Sequence, residues 1–144
     1  MTKDSAHSFY QIIDHTADLG IIVRGPDVNR LFINAANAMI DLMIKRNRGN
    51  AQVFRDILID AADFSDLMVR WLGEILYLFA AEKLIAHIIE IKTISPIKLE
   101  AALSFAIFEP ERHQVLREIK AVTYHQISVR EVNDEWEARV IFDI

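Results

Sequence analysis

Two hydrophobic periodicities divide this chain. From Asp27 to Ile44 the apolar residues Leu31, Ala35, Ala38 and Leu42 recur every three or four positions, the signature of one face of a helix, with Asp27 placed to cap it. A second helix is predicted to start at Asp63 or Ser65, with Leu67, Trp71, Ile75, Leu78 and Phe79 on its inner face. Leu72 and Leu76 widen that face, so the second helix is expected to be the more deeply buried of the two. In Ile97 to Ile107 the period drops to two. Ile97, Leu99, Ala101, Leu103, Phe105 and Ile107 alternate with Lys98, Glu100, Ala102, Ser104 and Ala106, as in a strand with one buried face.

Further strands are expected at Ser8 to Ile13, Gly20 to Arg24, Val53 to Ile59, His87 to Ser95, Ile119 to Val132 and Glu135 to Asp143. His15 to Leu19 reads as the turn after the first of these, and Gly25-Pro26 as the stop to the second. Ser95-Pro96 and Asn133-Asp134 read as later turns. This order predicts an α+β fold, a two-layer sandwich with two helices packed on one face of a mixed, largely antiparallel sheet. Four glycines and three prolines, none clustered, mark no linker or repeat, so residues 1–144 are expected to form a single domain.

Composition narrows the chemistry. With 52% hydrophobic and 26% charged residues the chain has enough apolar surface to fold alone. A net charge of −5 repels a phosphate backbone, which argues against unaided RNA binding. The absence of cysteine removes disulfides, thiolate metal sites and thiol nucleophiles together, leaving oxygen and imidazole as ligands. The amino-terminal MTKDSAHSF has no apolar core of a signal peptide, and no apolar run approaches the ~20 residues that cross a bilayer. A cytoplasmic protein with no membrane contact is the expectation.

Three places carry candidate chemistry. The first is His15-Thr16-Ala17-Asp18-Leu19-Gly20, an imidazole and a carboxylate in a polar turn, although Asp and Thr in turns commonly bond their own backbone. The second is Asp143-Ile144, which sets a side-chain carboxylate beside a main-chain one at the end of the last strand. Hard cations take several oxygen ligands, so such a pair makes a half-site; its ordinary alternative is a solvated terminus. The alternation of Trp136, Ala138, Val140 and Phe142 against Glu137, Arg139, Ile141 and Asp143 puts Asp143 on the more polar face. The third is Lys120 to His125, preceded by Glu109 to His113. His15, His113 and His125 together lack the short spacing of zinc motifs. Nucleophile elbow, P-loop, dinucleotide fingerprint and His-Glu-x-x-His are all absent.

HTADLGI at 15–21, WLGEILYLF at 71–79, PERH at 110–113 followed by KAVTYH at 120–125, and RVIFDI at 139–144 occur in the order that resembles the archease family. Each block alone is a weak pattern; together they span nearly the whole chain. That resemblance implies a non-catalytic accessory protein of the RtcB-type RNA ligase, which joins RNA ends in tRNA splicing and repair after guanylylation of its own histidine with GTP and manganese. Archease-like proteins promote this activation and allow multiple turnover. The resemblance further implies a divalent metal, calcium before magnesium or manganese, held by Asp18, Asp143 and Ile144, with His15, Lys120 and His125 near the site. RNA would be contacted only through the ligase. Two features depart from relatives: Leu103 to Phe108 lacks a glycine turn, and Asn29, Arg30 and Asn34 stand on an often acidic helix surface. A metal-independent binding module or chaperone is the alternative reading, and a metal-dependent hydrolase or nuclease the third.

Overall fold

The computed structural model describes residues 9–14, 18–46 and 51–144. Strands β1 (Tyr10–Asp14) and β2 (Asp18–Gly25) precede helix α1 (Val28–Met43), which runs directly into the two-residue β3 (Ile44–Lys45). Then come β4 (Val53–Asp60), helix α2 (Phe64–Glu82), and the long hairpin of β5 (Leu84–Ser95) and β6 (Lys98–Ile107). Short β7 (Gln114–Val115) and β8 (Ala121–Val122) lead to β9 (Ser128–Val132) and β10 (Glu135–Asp143). The α+β class is as expected, and every ladder among the described residues is antiparallel.

The strands divide into two main sheets. In one, β1, β2 and β10 are consecutive neighbours, and β8 and β9 share the other side of β10; in the second the order is β4-β6-β5. A small third pairing joins β3 to β7. Register irregularities at Ala86/Ile88 and Ile91/Thr93 bend β5. Such bulges sharpen local twist and turn an edge away from further pairing, which accounts for the sheet ending there.

Local signals explain the helix limits. The Asp27 carboxylate accepts the Arg30 backbone N–H at 2.7 Å, and the Asp63 carboxylate accepts that of Asp66 at 2.8 Å, each satisfying a donor that the first turn leaves open. Lys83 ends α2 in the left-handed region, its N–H reaching the Leu78 and Phe79 carbonyls. At Gly25 a Cβ would lie 2.7 Å from the Leu31 backbone nitrogen, so the close approach of β2 to the first turn of α1 requires glycine.

One apolar cluster unites both helices with both sheets, and Trp71 at its centre donates its indole N–H to the Phe32 carbonyl at 2.9 Å. α1 touches β2 and β10 on one side and β5 on another, whereas α2 lies on β4, β5, β8 and β9. Contrary to expectation, α1 is the more deeply buried helix: nine of its 16 residues are buried, against eight of 19 in α2. The reason is size. Ala35, Ala36 and Ala38 let neighbouring elements approach α1 closely, while the broader face of α2 leaves Tyr77 exposed. No helix among the described residues is long and apolar enough to cross a membrane.

Candidate metal centre

Asp18 lies in β2 itself, two residues before the strand was expected to begin, and this placement determines what it faces. The β2–β10 register runs from Gly25 opposite Trp136 to Asp18 opposite Asp143. Directly opposed residues of antiparallel strands project from the same face, so the two carboxylates share one end of one sheet surface. The Asp143 carbonyl accepts the Lys120 N–H at 2.7 Å on the β8 side. Asp143 thus turns its backbone groups away from β2 and meets Asp18 as a non-hydrogen-bonded pair, the arrangement with Cα atoms only ~4.5 Å apart.

Further along the same strands the charges alternate. Arg24 reaches Glu137 at 3.2 Å and Arg130 approaches the other oxygen of Glu137 at 3.6 Å, so that acid sits between two cations. Asp143 instead faces a second acid. Like charges directly opposite one another destabilise a sheet, and a bound cation reverses the sign of that interaction. The alternation expected along β10 holds, with one exception: Ile141, on the Asp143 side, is completely buried.

The remaining site candidates are distributed as follows. Ile144 is partly exposed at the end of the sequence and Lys120 is exposed, its backbone tied to Asp143. His15 lies outside the described residues. His125 is exposed in a turn that interrupts the strand expected over Ile119 to Val132. Thr123 starts this turn by bonding the Ile141 carbonyl with both its N–H (3.0 Å) and its hydroxyl (2.8 Å), and Gln126 adopts a φ of 53°. A tight reversal with a left-handed residue cannot continue a ladder, so β8 and β9 are separate. His113 is elsewhere: it is buried, stacks on Phe108, and accepts the Glu109 N–H on Nδ1 at 3.0 Å. Its role is structural.

Reasoning from sequence missed a connection between this turn and α2. The Tyr124 hydroxyl donates to Asp66 at 2.6 Å, while Asp66 also accepts from the Ala62 N–H and the Arg70 guanidinium. These bonds, led by that of Tyr124, hold the Asp66 carboxyl below its ordinary range, and the same bond raises the Tyr124 phenol. The acid three residues after the Asp63 cap was the visible signal; its distant tyrosine was not. Tyr124→Phe is expected to raise the Asp66 pKa, read by NMR titration of its carboxyl carbon. Because the folded-state pKa is depressed, the stabilisation is present above the ordinary carboxylate range and is lost as pH falls through the folded value. The stability difference between wild type and Tyr124→Phe should therefore shrink on acidification; a constant difference would contradict the bond.

Donor chemistry decides whether these residues suit a hard cation. Among the described residues no group of three or more His, Asp or Glu side chains converges to hold a metal, and the facing side chains at this end of the sheet are two carboxylates, Asp18 and Asp143. Main-chain oxygen at Ile144 is the further donor within reach along the chain. An all-oxygen set with no thiolate fits calcium, magnesium or manganese better than zinc.

Residues 10–144 match the Archease protein family (MTH1598/TM1083). Protein archease of Methanosarcina mazei is 32% identical over 139 residues, covering 94% of this chain and 95% of that protein. The archease of Pyrococcus abyssi is 30% identical over 135 residues, with coverage of 91% and 95%. Among solved structures, protein 1598 of Methanobacterium thermoautotrophicum superposes with a TM-score of 0.78 at 28% identity, covering 94% of this chain and 99% of its own. An archease and possible chaperone from Thermotoga maritima shares the fold at a TM-score of 0.62 and 19% identity, with coverage of 93% and 96%. The chain belongs to the archease family.

Proposed function

We propose that this protein is a non-catalytic accessory of an RtcB-type RNA ligase, and that Asp18, Asp143 and main-chain oxygen of Ile144 hold a divalent cation for that task. The observation that carries the reading is the register of β2 on β10, which sets two aspartates from opposite ends of the chain against each other. Family membership and the four sequence blocks support the ligase as partner. When bound, a divalent cation offsets negative charge on nucleotide phosphates, the usual metal contribution to nucleotidyl transfer. The chain's own residues hold and orient: the β2–β10 ladder fixes both aspartates, and Lys120, tied to Asp143 through the backbone, lies beside them. His125 projects from the neighbouring turn, where it can meet a partner's surface.

Multiple-turnover RNA joining by the host's RtcB-type ligase, with and without this protein, tests the reading. Stimulation by wild type and its loss in Asp18→Ala are expected; equal stimulation by both would remove the metal role.

A second reading, a metal-independent protein-binding module, draws on a different observation: Phe54, Leu58 and Ile88 are large apolar side chains left exposed. Equal suppression of aggregation of an unrelated protein by wild type and Asp143→Ala would favour it.

A further inference from the structure

The sheet β4-β6-β5 turns one face to the helices and the other to solvent, and large apolar side chains stand among the charges of the solvent face. Register places Phe54 opposite Ser104 and Ser104 opposite Ile88, with Leu58 two rows further along β4. Phe54 is 75% exposed, Leu58 62% and Ile88 61%, large apolar side chains on a sheet surface where alternation ordinarily puts polar ones. Between Phe54 and Ile88 runs an open groove of about 350 Å³, floored by Ala102 and Ser104.

Two further observations say what the groove takes. The first is Ser104. Its residue is only 5% exposed, and its hydroxyl has no hydrogen-bond partner, which is rare for a buried polar group and is relieved when a ligand brings a donor or acceptor. The second is charge. Asp56 and Glu90 flank Ala102 at the groove; Glu100 follows on the central strand with the exposed Lys92 beside it in the β5 bulge, and Lys98 stands at the far end beside the hairpin turn. Arg55, at the rim, is engaged with Glu82 on α2 at 2.8 Å. At the groove itself the charges are the two carboxylates of Asp56 and Glu90, which disfavour a phosphate backbone and a second copy of the same groove there.

We propose that this face is a docking surface for a protein partner, and that it takes an extended segment in which apolar side chains alternate with Lys or Arg. Apolar side chains cover Phe54, Ile88 and Ala102, the cations meet Asp56 and Glu90, and a main-chain group of the segment satisfies the Ser104 hydroxyl. The surface belongs to a different sheet from the Asp18–Asp143 pair, so it does not depend on the metal reading.

Titrating isotope-labelled protein with a short synthetic peptide of alternating Leu and Arg tests this by NMR. Shift changes confined to β4, β5 and β6 are expected, with none from a matching Leu-Glu peptide. Affinity should fall at least about fivefold in Asp56→Asn/Glu90→Gln and again in Phe54→Ser. All three substituted positions are exposed, and the amide-acid exchanges keep shape, so they remain informative should Phe54→Ser disturb folding. Asp143→Asn should bind the peptide as wild type does, which separates this proposal from the metal site. Shifts mapping elsewhere, or an affinity indifferent to both variants, would overturn it. Self-association through these same residues in sedimentation, or RNA binding there, would overturn it equally by identifying a different occupant.

Discussion

Asp143→Asn is expected to lose calcium affinity by at least about tenfold and to abolish stimulation of the ligase, while the metal-free protein keeps its fold. Affinity for a hard cation follows the number of anionic oxygens in the site, and this exchange removes one while preserving shape. The strand itself should be indifferent. What anchors Asp143 is its backbone carbonyl, which accepts from Lys120 whatever the side chain. Relief of the repulsion from Asp18 should leave the metal-free stability unchanged or slightly higher, by at most about 1 kcal/mol. Isothermal titration with calcium and thermal melts with and without chelator measure the two halves. A variant that binds calcium as wild type does would show that the facing aspartates are not a metal site.

The largest effect on stability is expected at Trp71. This ring is fully buried between the helices, and its N–H meets the Phe32 carbonyl, so truncation removes apolar contact and a second hydrogen bond to that helix carbonyl together. Trp71→Ala should cost about 3–5 kcal/mol, a large fraction of the ~5–15 kcal/mol that holds an ordinary domain together. Trp71→Phe separates the two contributions. It keeps most of the ring and loses the donor, whose hydrogen bond contributes about 0.5–1.5 kcal/mol. Denaturant unfolding of both variants decides the matter, and a loss below about 1 kcal/mol in Trp71→Ala would place the residue outside the core.

The proposed cation site and the core meet at α1. That helix rests on β2 and β10, the two strands that carry the facing aspartates, and Trp71 braces it from α2. Losing Trp71 should therefore weaken calcium binding only through the folded fraction, and not at temperatures where the variant remains folded.

Much of this fold was legible from residue order because the signals are local. The Asp27 cap acts within three residues of itself, and so does the Asp63 cap. Asn133 and Asp134, with φ of 53° and 67°, form the left-handed pair that a two-residue hairpin turn demands. The alternation from Lys98 to Ile107 became a strand because its period matches the pleat whatever its neighbours are. Depth of burial was less legible. Hydrophobicity ranked α2 first, but small residues on α1 drew the sheets closer.

Pairing partners, by contrast, came from tertiary structure. Nothing local puts Tyr124 against Asp66, breaks the expected strand at Thr123 to Ile127, or extends β2 back to Asp18. The four-block resemblance named Asp18 and Asp143 together, yet the reason they meet is a register between strands more than a hundred residues apart. Periodicity tells each strand which face is apolar; which residue lies opposite which is decided by how all the strands and helices close around one core.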